Sequence, residues 1–252
     1  MNAHPEGARA LVDQQIDYVR QQEPIDGPKR VLIIGGSTGY GLATRIVATY
    51  GSGAGTINVA YESPAKGSRT ATIGWYNTRA RGDGYVAESL FGDAFSHEMK
   101  METIQRIRER FGTVDLVVYS LASGVRVDPD TGERYTSVLK PVGESYESKS
   151  IDTKQGEIRD VRVEPATEEE IERTVKVMGG EDWQLWMDQL ADAGVLAEGA
   201  TTVAYSYIGP DLTRPLYRDG TIGRAKEHLE ATAKELSSKL SSIGGKAFIS
   251  VN

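Results

Sequence analysis

The sequence predicts an α/β fold, a doubly wound parallel sheet covered by helices on both faces. Three observations carry the prediction. Short, solidly apolar segments such as Arg30–Ile34 (RVLII) and Val114–Ser120 (VDLVVYS) suit central strands with no face open to water. Helical stretches alternate with these segments, which is the rhythm of parallel strands joined by right-handed crossovers. A glycine-rich turn leads directly from the first apolar strand into a helix. The chain has 252 residues, enough for one large domain with a substantial core.

The elements follow in chain order. His4–Gln22 has helical spacing, with Ala8, Leu11, Ile16, Tyr18 and Val19 forming one apolar side. After the turn-rich Pro24–Lys29 comes the first strand, and then a helix from about Gly41 to Tyr50. Thr56–Tyr61 (TINVAY) reads as the second strand, ended by Glu62. Ser63–Arg81 reads as a loop with a helical continuation, and Tyr85–Leu90 as a third strand closed by Gly92-Asp93. Ser96–Phe111 is a charged amphipathic helix leading to the fourth strand, Val114–Ser120.

Beyond Ser123 the rhythm changes. Val125–Val163 is polar and turn-rich, an irregular excursion expected to contain a hairpin. Thr167-Glu168-Glu169-Glu170 is a capping box opening a helix to about Met178. Gly179-Gly180 breaks that helix, and Asp182–Ala193 forms a second one, with Trp183, Trp186 and Leu190 as packing residues. Thr201–Ile208 returns to strand character, Gly223–Ser242 is a long helix, and Lys246–Val251 (KAFISV) is a final strand. The expected organisation is one nucleotide-binding domain over residues 1–252, with 123–200 as an insertion on the substrate side.

Composition excludes several function classes. A formal net charge of -7 with no long basic run argues against nucleic acid as a partner. With no cysteine, disulfides, thiolate metal sites and thiol nucleophiles are all ruled out, which fits a reducing compartment. The three histidines, His4, His97 and His228, are too scattered to suggest a multi-histidine metal site. No apolar run is long enough to cross a bilayer, and Met1–Gly7 has no signal-peptide character, so the cytoplasm is the expected location.

The most informative local segment is Ile34–Leu42 (IGGSTGYGL). Glycines between a strand and a helix let the backbone turn tightly and approach a pyrophosphate, whose charge the helix N-terminus favours. The spacing is closer to G-x-x-x-G-x-G than to G-x-G-x-x-G. It assigns Gly35, Gly36, Ser37, Thr38 and Gly39 to a dinucleotide's phosphates and makes the fold Rossmann-type. Tyr61 and Glu62, at the end of the next strand, are placed for the adenosine ribose. The Glu62 carboxylate can accept from both ribose hydroxyls and would repel a 2′-phosphate, which favours NADH over NADPH. Otherwise it is a solvated strand-end carboxylate. Asp93 and Ala94 suit the adenine ring, and Leu121 and Ala122 the nicotinamide ribose, because ligands sit at the carboxyl ends of parallel strands.

Several blocks together resemble the trans-2-enoyl reductase family, the V-type bacterial enoyl-acyl-carrier-protein reductases. They are Asp26–Ile46, GWYN (Gly74–Asn77), GDAFS (Gly92–Ser96), VDLVVYSLA (Val114–Ala122), VEPAT (Val163–Thr167), VMGGEDW (Val177–Trp183) and Tyr205–Glu230. They cover nearly the whole chain. The resemblance implies NADH-dependent reduction of the trans-2 double bond of enoyl thioesters in fatty acid synthesis, carried by coenzyme A or acyl carrier protein. In it, NADH delivers hydride to the β-carbon and charge develops on the thioester oxygen, where a positioned donor lowers the barrier.

The resemblance also implies residue roles. Tyr217 is the proton donor. Lys226, separated from it by eight residues, supplies positive charge and binds the nicotinamide ribose. Tyr207 contacts the thioester carbonyl, and Tyr40 lines the cofactor pocket. Ordinary short-chain dehydrogenases leave three residues between their tyrosine and lysine, on one helix face. Nine steps of about 100° would bring a continuous helix round to its opposite face. Tyr217 is therefore expected before the helix, in an irregular lead-in broken near Gly220. Spacing alone favours a packing role for Tyr217 and a surface role for Lys226; the surrounding blocks reverse that preference.

Relative to this family the chain is expected to lack a short N-terminal segment and a C-terminal part, as a fragment or a natural truncation. The full-length form is expected to be monomeric. Two alternatives accompany the reading. A carbonyl reductase of the short-chain class is disfavoured by the spacing and by VMGGEDW. A catalytically impaired nucleotide-binding remnant is the other.

Overall fold

The computed structural model describes residues 3–78 and 84–252. Helix α1 (Pro5–Arg20) opens with a proline whose missing N–H would have had no partner, and His4 Nδ1 accepts from the Gly7 N–H at 2.9 Å. Its buried stripe is Ala8, Val12 and Ile16. Leu11 and Tyr18, expected on that side, are 61% and 66% exposed. Leu11 stands one residue, about 100°, from Val12, and Tyr18 two residues, about 200°, from Ile16.

Strands β1 (Arg30–Ile34), β2 (Gly55–Ala60), β3 (Ala87–Phe91) and β4 (Val114–Tyr119) alternate with helices α2 (Gly39–Gly51), α3 (Ile73–Asn77) and α4 (His97–Arg110). Two hairpins follow, β5 (Val125–Val127) with β6 (Arg134–Thr136) and β7 (Tyr146–Asp152) with β8 (Glu157–Val163). Then come α5 (Glu168–Met178), α6 (Glu181–Asp192), β9 (Leu196–Ser206), α7 (Thr221–Leu240) and β10 (Lys246–Val251). Among the described residues six strands form one sheet in the order β10-β9-β4-β1-β2-β3. The pairs β1–β2, β2–β3, β1–β4 and β4–β9 are parallel. The chain builds outward from β1 to β3, then returns to the other side of β1. The point where strand order reverses lies between β1 and β4, where open sheets of this kind bind ligands.

The chain divides into two compact units. The first takes Met1–Leu121, Leu185–Tyr205 and Glu235–Ser250. Its centre is β1, where Val31, Leu32, Ile33 and Ile34 are each 0% exposed. Val31 and Ile33 pack with Ala48, Ala54 and Val118, while α1 and α2 share the cluster Val12, Ile16, Leu42 and Ile46. Each valine, leucine or isoleucine among them contributes about 2 kcal/mol on withdrawal from water.

The second unit takes Ala122–Gln184, Ser206–Lys234 and Val251–Asn252. It holds most of the 123–200 stretch read as an insertion, together with the segment that carries Tyr207, Tyr217 and Lys226. In place of one hairpin there are two. Helix α5 packs on β5 and β6. The buried Arg126 of β5 donates to the Lys176 carbonyl at 2.7 Å and pairs with Glu181 at 3.1 Å. The capping box forms as expected, with Thr167 and Glu170 bonding each other's backbone N–H. No helix among the described residues is long and apolar enough to cross a membrane.

Two strands differ from expectation. The third begins at Ala87, two residues late, leaving Tyr85 and Val86 outside it. The strand expected from Thr201 begins at Leu196. Its pairing jumps from Val114↔Leu196 to Leu116↔Thr201, so extra residues bulge around Gly199, whose φ is 73°. That bulge breaks the alternation by which a strand is read.

Candidate functional site

The glycine cradle lies in the first unit and starts where β1 ends. Gly35 has φ 93°, and a Cβ there would stand 2.1 Å from the Ser120 carbonyl oxygen. Only glycine fits both constraints. A Cβ on Gly41 would meet the Gly35 carbonyl oxygen at 2.3 Å, so the first turn of α2 rests directly on the loop. The Gly36 N–H donates to Asn58 Oδ1 at 2.7 Å, tying the loop to β2. Thr38 caps α2 in extended conformation without a side-chain bond, and no acidic residue stands in the first turn. The helix therefore presents unsatisfied N–H donors, the feature that suits a phosphate. Thr38, Gly39 and Tyr40 are exposed. The Tyr40 ring lies 6.0 Å from that of Tyr205, whose hydroxyl meets Thr44 Oγ1 at 2.5 Å.

Just after β2 Tyr61 is 82% exposed. Glu62 is half-buried and accepts from Ser37 Oγ at 2.6 Å, so the glycine-rich loop and the strand-end carboxylate are directly joined. Asp93 is exposed, and its Oδ1 accepts from the Phe95 N–H at 3.0 Å. The Ala94 carbonyl accepts from Trp186 Nε1 and from Lys100 Nζ, both at 3.1 Å, and the Phe95 carbonyl accepts from Lys100 at 2.8 Å. Lys100 is wholly buried, with its ammonium 5.1 Å from the Trp186 ring. Sequence reading missed this anchor, because a lysine in a charged helix gives no signal that it points inward. Leu121 closes this unit half-buried after β4, and Ala122, exposed, opens the second.

In the second unit Tyr217 stands in a run of turns before α7, as its spacing from Lys226 requires. Its N–H donates to the Thr213 carbonyl at 3.1 Å, and its carbonyl accepts from the Gly223 N–H at 2.7 Å. A Cβ on Gly220 would overlap the Leu216 carbonyl at 2.3 Å, which explains the break in the lead-in. The rings of Tyr207 and Tyr217 meet edge to face, centroids 5.4 Å apart at 88°. Lys226, in the second turn of α7, is half-buried, and the loss of solvation pushes its pKa down. The VMGGEDW block gains a physical role. The Gly180 N–H donates to His228 Nδ1 at 3.0 Å, and a Cβ there would stand 2.1 Å from Thr232 Oγ1. Helix α7 can approach this closely only because the residue is glycine. Trp183 and Trp186 are fully buried, as expected of packing residues.

The strand order, with a glycine cradle beside the reversal point, defines a Rossmann-type NAD(P)-binding fold. A family model described as the trans-2-enoyl-CoA reductase catalytic region matches residues 69–252, and one described as the NAD(P)H binding domain of trans-2-enoyl-CoA reductase matches residues 1–67. The chain belongs to the trans-2-enoyl-CoA reductase family. It is 53% identical over 257 residues to the enoyl-[acyl-carrier-protein] reductase [NADH] of Cytophaga hutchinsonii, covering 100% of this chain and 65% of that protein. It is 52% identical over 255 residues to the trans-2-enoyl-CoA reductase [NADH] of Clostridium perfringens, covering 99% and 66%. The structure of Clostridium acetobutylicum trans-2-enoyl-CoA reductase in complex with NADH superimposes with a TM-score of 0.95 at 47% identity, covering 100% of this chain and 65% of that one. The chain thus spans about two thirds of the length of these relatives.

Proposed function

We propose that the chain carries out NADH-dependent reduction of the trans-2 double bond of enoyl thioesters, with coenzyme A or acyl carrier protein as the carrier. The observation that carries this reading is the cradle at Gly35 and Gly41 ending in the Ser37–Glu62 pair, in a chain of this family. The residues fit NADH. Gly35 and Gly41 let the loop close tightly on Ser120 and on the first turn of α2, as a pyrophosphate-binding turn would need, and the Glu62 carboxylate would repel a 2′-phosphate.

Bound NADH supplies the hydride. Gly35, Gly36, Ser37, Thr38 and Gly39 hold its phosphates, Tyr40 lines its pocket, Tyr61 and Glu62 serve the adenosine ribose, and Asp93 and Ala94 the adenine. Leu121, Ala122 and Lys226 serve the nicotinamide ribose. Tyr207 hydrogen-bonds the thioester carbonyl, and Tyr217 donates the proton that completes reduction. The edge-to-face contact limits the freedom of both rings before substrate arrives, which is the pre-organisation that electrostatic catalysis needs. Lys226 carries a charge partly withdrawn from water, and there it acts on a phenol more strongly than in bulk solvent.

The test is consumption of NADH with crotonyl-CoA, and with crotonyl-acyl carrier protein, against a panel of simple ketones. Turnover of the enoyl thioesters alone is the expected result. Reduction of ketones with crotonyl thioesters left untouched would overturn the reading.

A further inference from the structure

The block Gly74–Asn77 (GWYN) has no part in the chemistry above, yet every residue in it holds the cradle or a segment beside it. A Cβ at Gly74 would stand 1.9 Å from Glu62 Oε1 and 2.7 Å from Ser37 Cβ, so the backbone of α3 presses against the Ser37–Glu62 pair. Asn77 Nδ2 donates to the Ser37 carbonyl at 3.0 Å. The Trp75 ring lies 4.5 Å from that of Phe91, the last residue of β3. The Tyr76 hydroxyl accepts from the Ala71 N–H at 3.1 Å, and Thr72 Oγ1 accepts from the Ser63 N–H at 3.1 Å. The chain leaving Glu62 and the chain entering α3 are thereby tied together.

We propose that Gly74 is a specificity-determining residue that acts through Glu62, with Asn77 as the positioning residue for Ser37. The proposal rests on the NADH reading. The backbone of α3 forms a wall against the Glu62 carboxylate and leaves it one place, against Ser37 Oγ. A carboxylate held there is organised in advance to accept from ribose hydroxyls. A 2′-phosphate could enter only if the carboxylate swung away, and the wall blocks movement toward α3. A methyl group at position 74 would take the place that the carboxylate now occupies. The atom it meets first is the end of a flexible side chain and the next residue it meets is Ser37, at Cβ 2.7 Å away, so the strain falls on the Ser37–Glu62 pair and first on the carboxylate.

The experiment is calorimetric titration with NADH and NADPH of the unmodified chain, Gly74→Ala, Asn77→Ala, Glu62→Gln and the double variant Glu62→Gln/Gly74→Ala, with thermal unfolding of each. Gly74→Ala is expected to weaken NADH at least about fivefold while leaving NADPH unchanged or tighter. In the Glu62→Gln background the same substitution should alter the NADH-to-NADPH ratio less than about twofold, because residues in contact are not additive. Equal weakening of both dinucleotides, or the full effect in both backgrounds, would mean a merely structural glycine and would overturn the proposal. Should Gly74→Ala not fold, Asn77→Ala decides, and an unaltered preference in it overturns the proposal. If the unmodified chain binds neither dinucleotide, the functional reading falls and takes the proposal with it. If it prefers NADH and Gly74→Ala leaves that preference intact, the proposal alone falls.

Discussion

Half-buried in the second turn of α7, Lys226 has its ammonium pKa held below the ordinary lysine value by loss of solvation. Between that lowered value and the ordinary one, the unfolded chain binds more protons than the folded chain. Stability should therefore rise with pH across this window, and Lys226→Met should remove the slope. Chemistry that needs the charge should fade at a lower alkaline pH than an ordinary lysine would give. Lys226→Arg, which keeps its charge, should extend the alkaline limb of kcat/KM even as its altered shape lowers the plateau. An alkaline limb identical in the two proteins would remove Lys226 as the titrating group. Tyr217→Phe should lower kcat at least about tenfold, the scale of a positioned proton donor. At this scale the tight glycine turn after β1 and the irregular lead-in that holds Tyr217 were legible in the sequence. Lys100, Asn58 and Asn77 were not. They hold backbone groups, and a bond to a carbonyl or an N–H leaves no matching side chain to notice.

Elements closed by local signals are read most faithfully. Helix α5 runs from its capping box to Met178, and β10 keeps the bounds expected of it. Elements defined by a distant partner are not. The start of β9 depends on Val114, and α3 within Ser63–Arg81 depends on its contacts with Glu62, Ser37 and Phe91. The capping box makes a direct prediction. Thr167→Ala should destabilise by about 0.5–2 kcal/mol in urea unfolding. Glu170, its reciprocal partner, has its pKa lowered first by the hydrogen bond from Lys140 and then by the Thr167 N–H. Its contribution is present above the ordinary glutamate pKa and is lost as pH falls through the lowered value. The penalty for Glu170→Gln should shrink on the acid side of that range. A penalty that stays constant down through it would show that the box is not the source.

Across the whole molecule the proposed roles separate by unit. Gly35–Tyr40, Tyr61, Glu62, Asp93, Ala94 and Leu121 belong to the first, and Ala122, Tyr207, Tyr217 and Lys226 to the second. Lys226→Ala should therefore weaken NADH while leaving ADP-ribose, which lacks the nicotinamide, bound as before. Equal losses for both ligands in calorimetry would show that Lys226 supports the adenosine half. The strand order also dictates a sequence in time. Val31 pairs with Thr56 of β2, 25 positions along the chain, and with Leu116 of β4, 85 positions along. Closing the longer loop costs about 1 kcal/mol more chain entropy. The pairing of β1 with β2 should form first, and β4 should then dock on an edge already built, carrying β9 behind it. Ile57→Val should slow refolding and leave unfolding nearly unchanged, whereas Val118→Ala should chiefly speed unfolding. Slower refolding from Val118→Ala would place the junction of β1 and β4 inside the nucleus, and the two sides of the sheet would then have to assemble together.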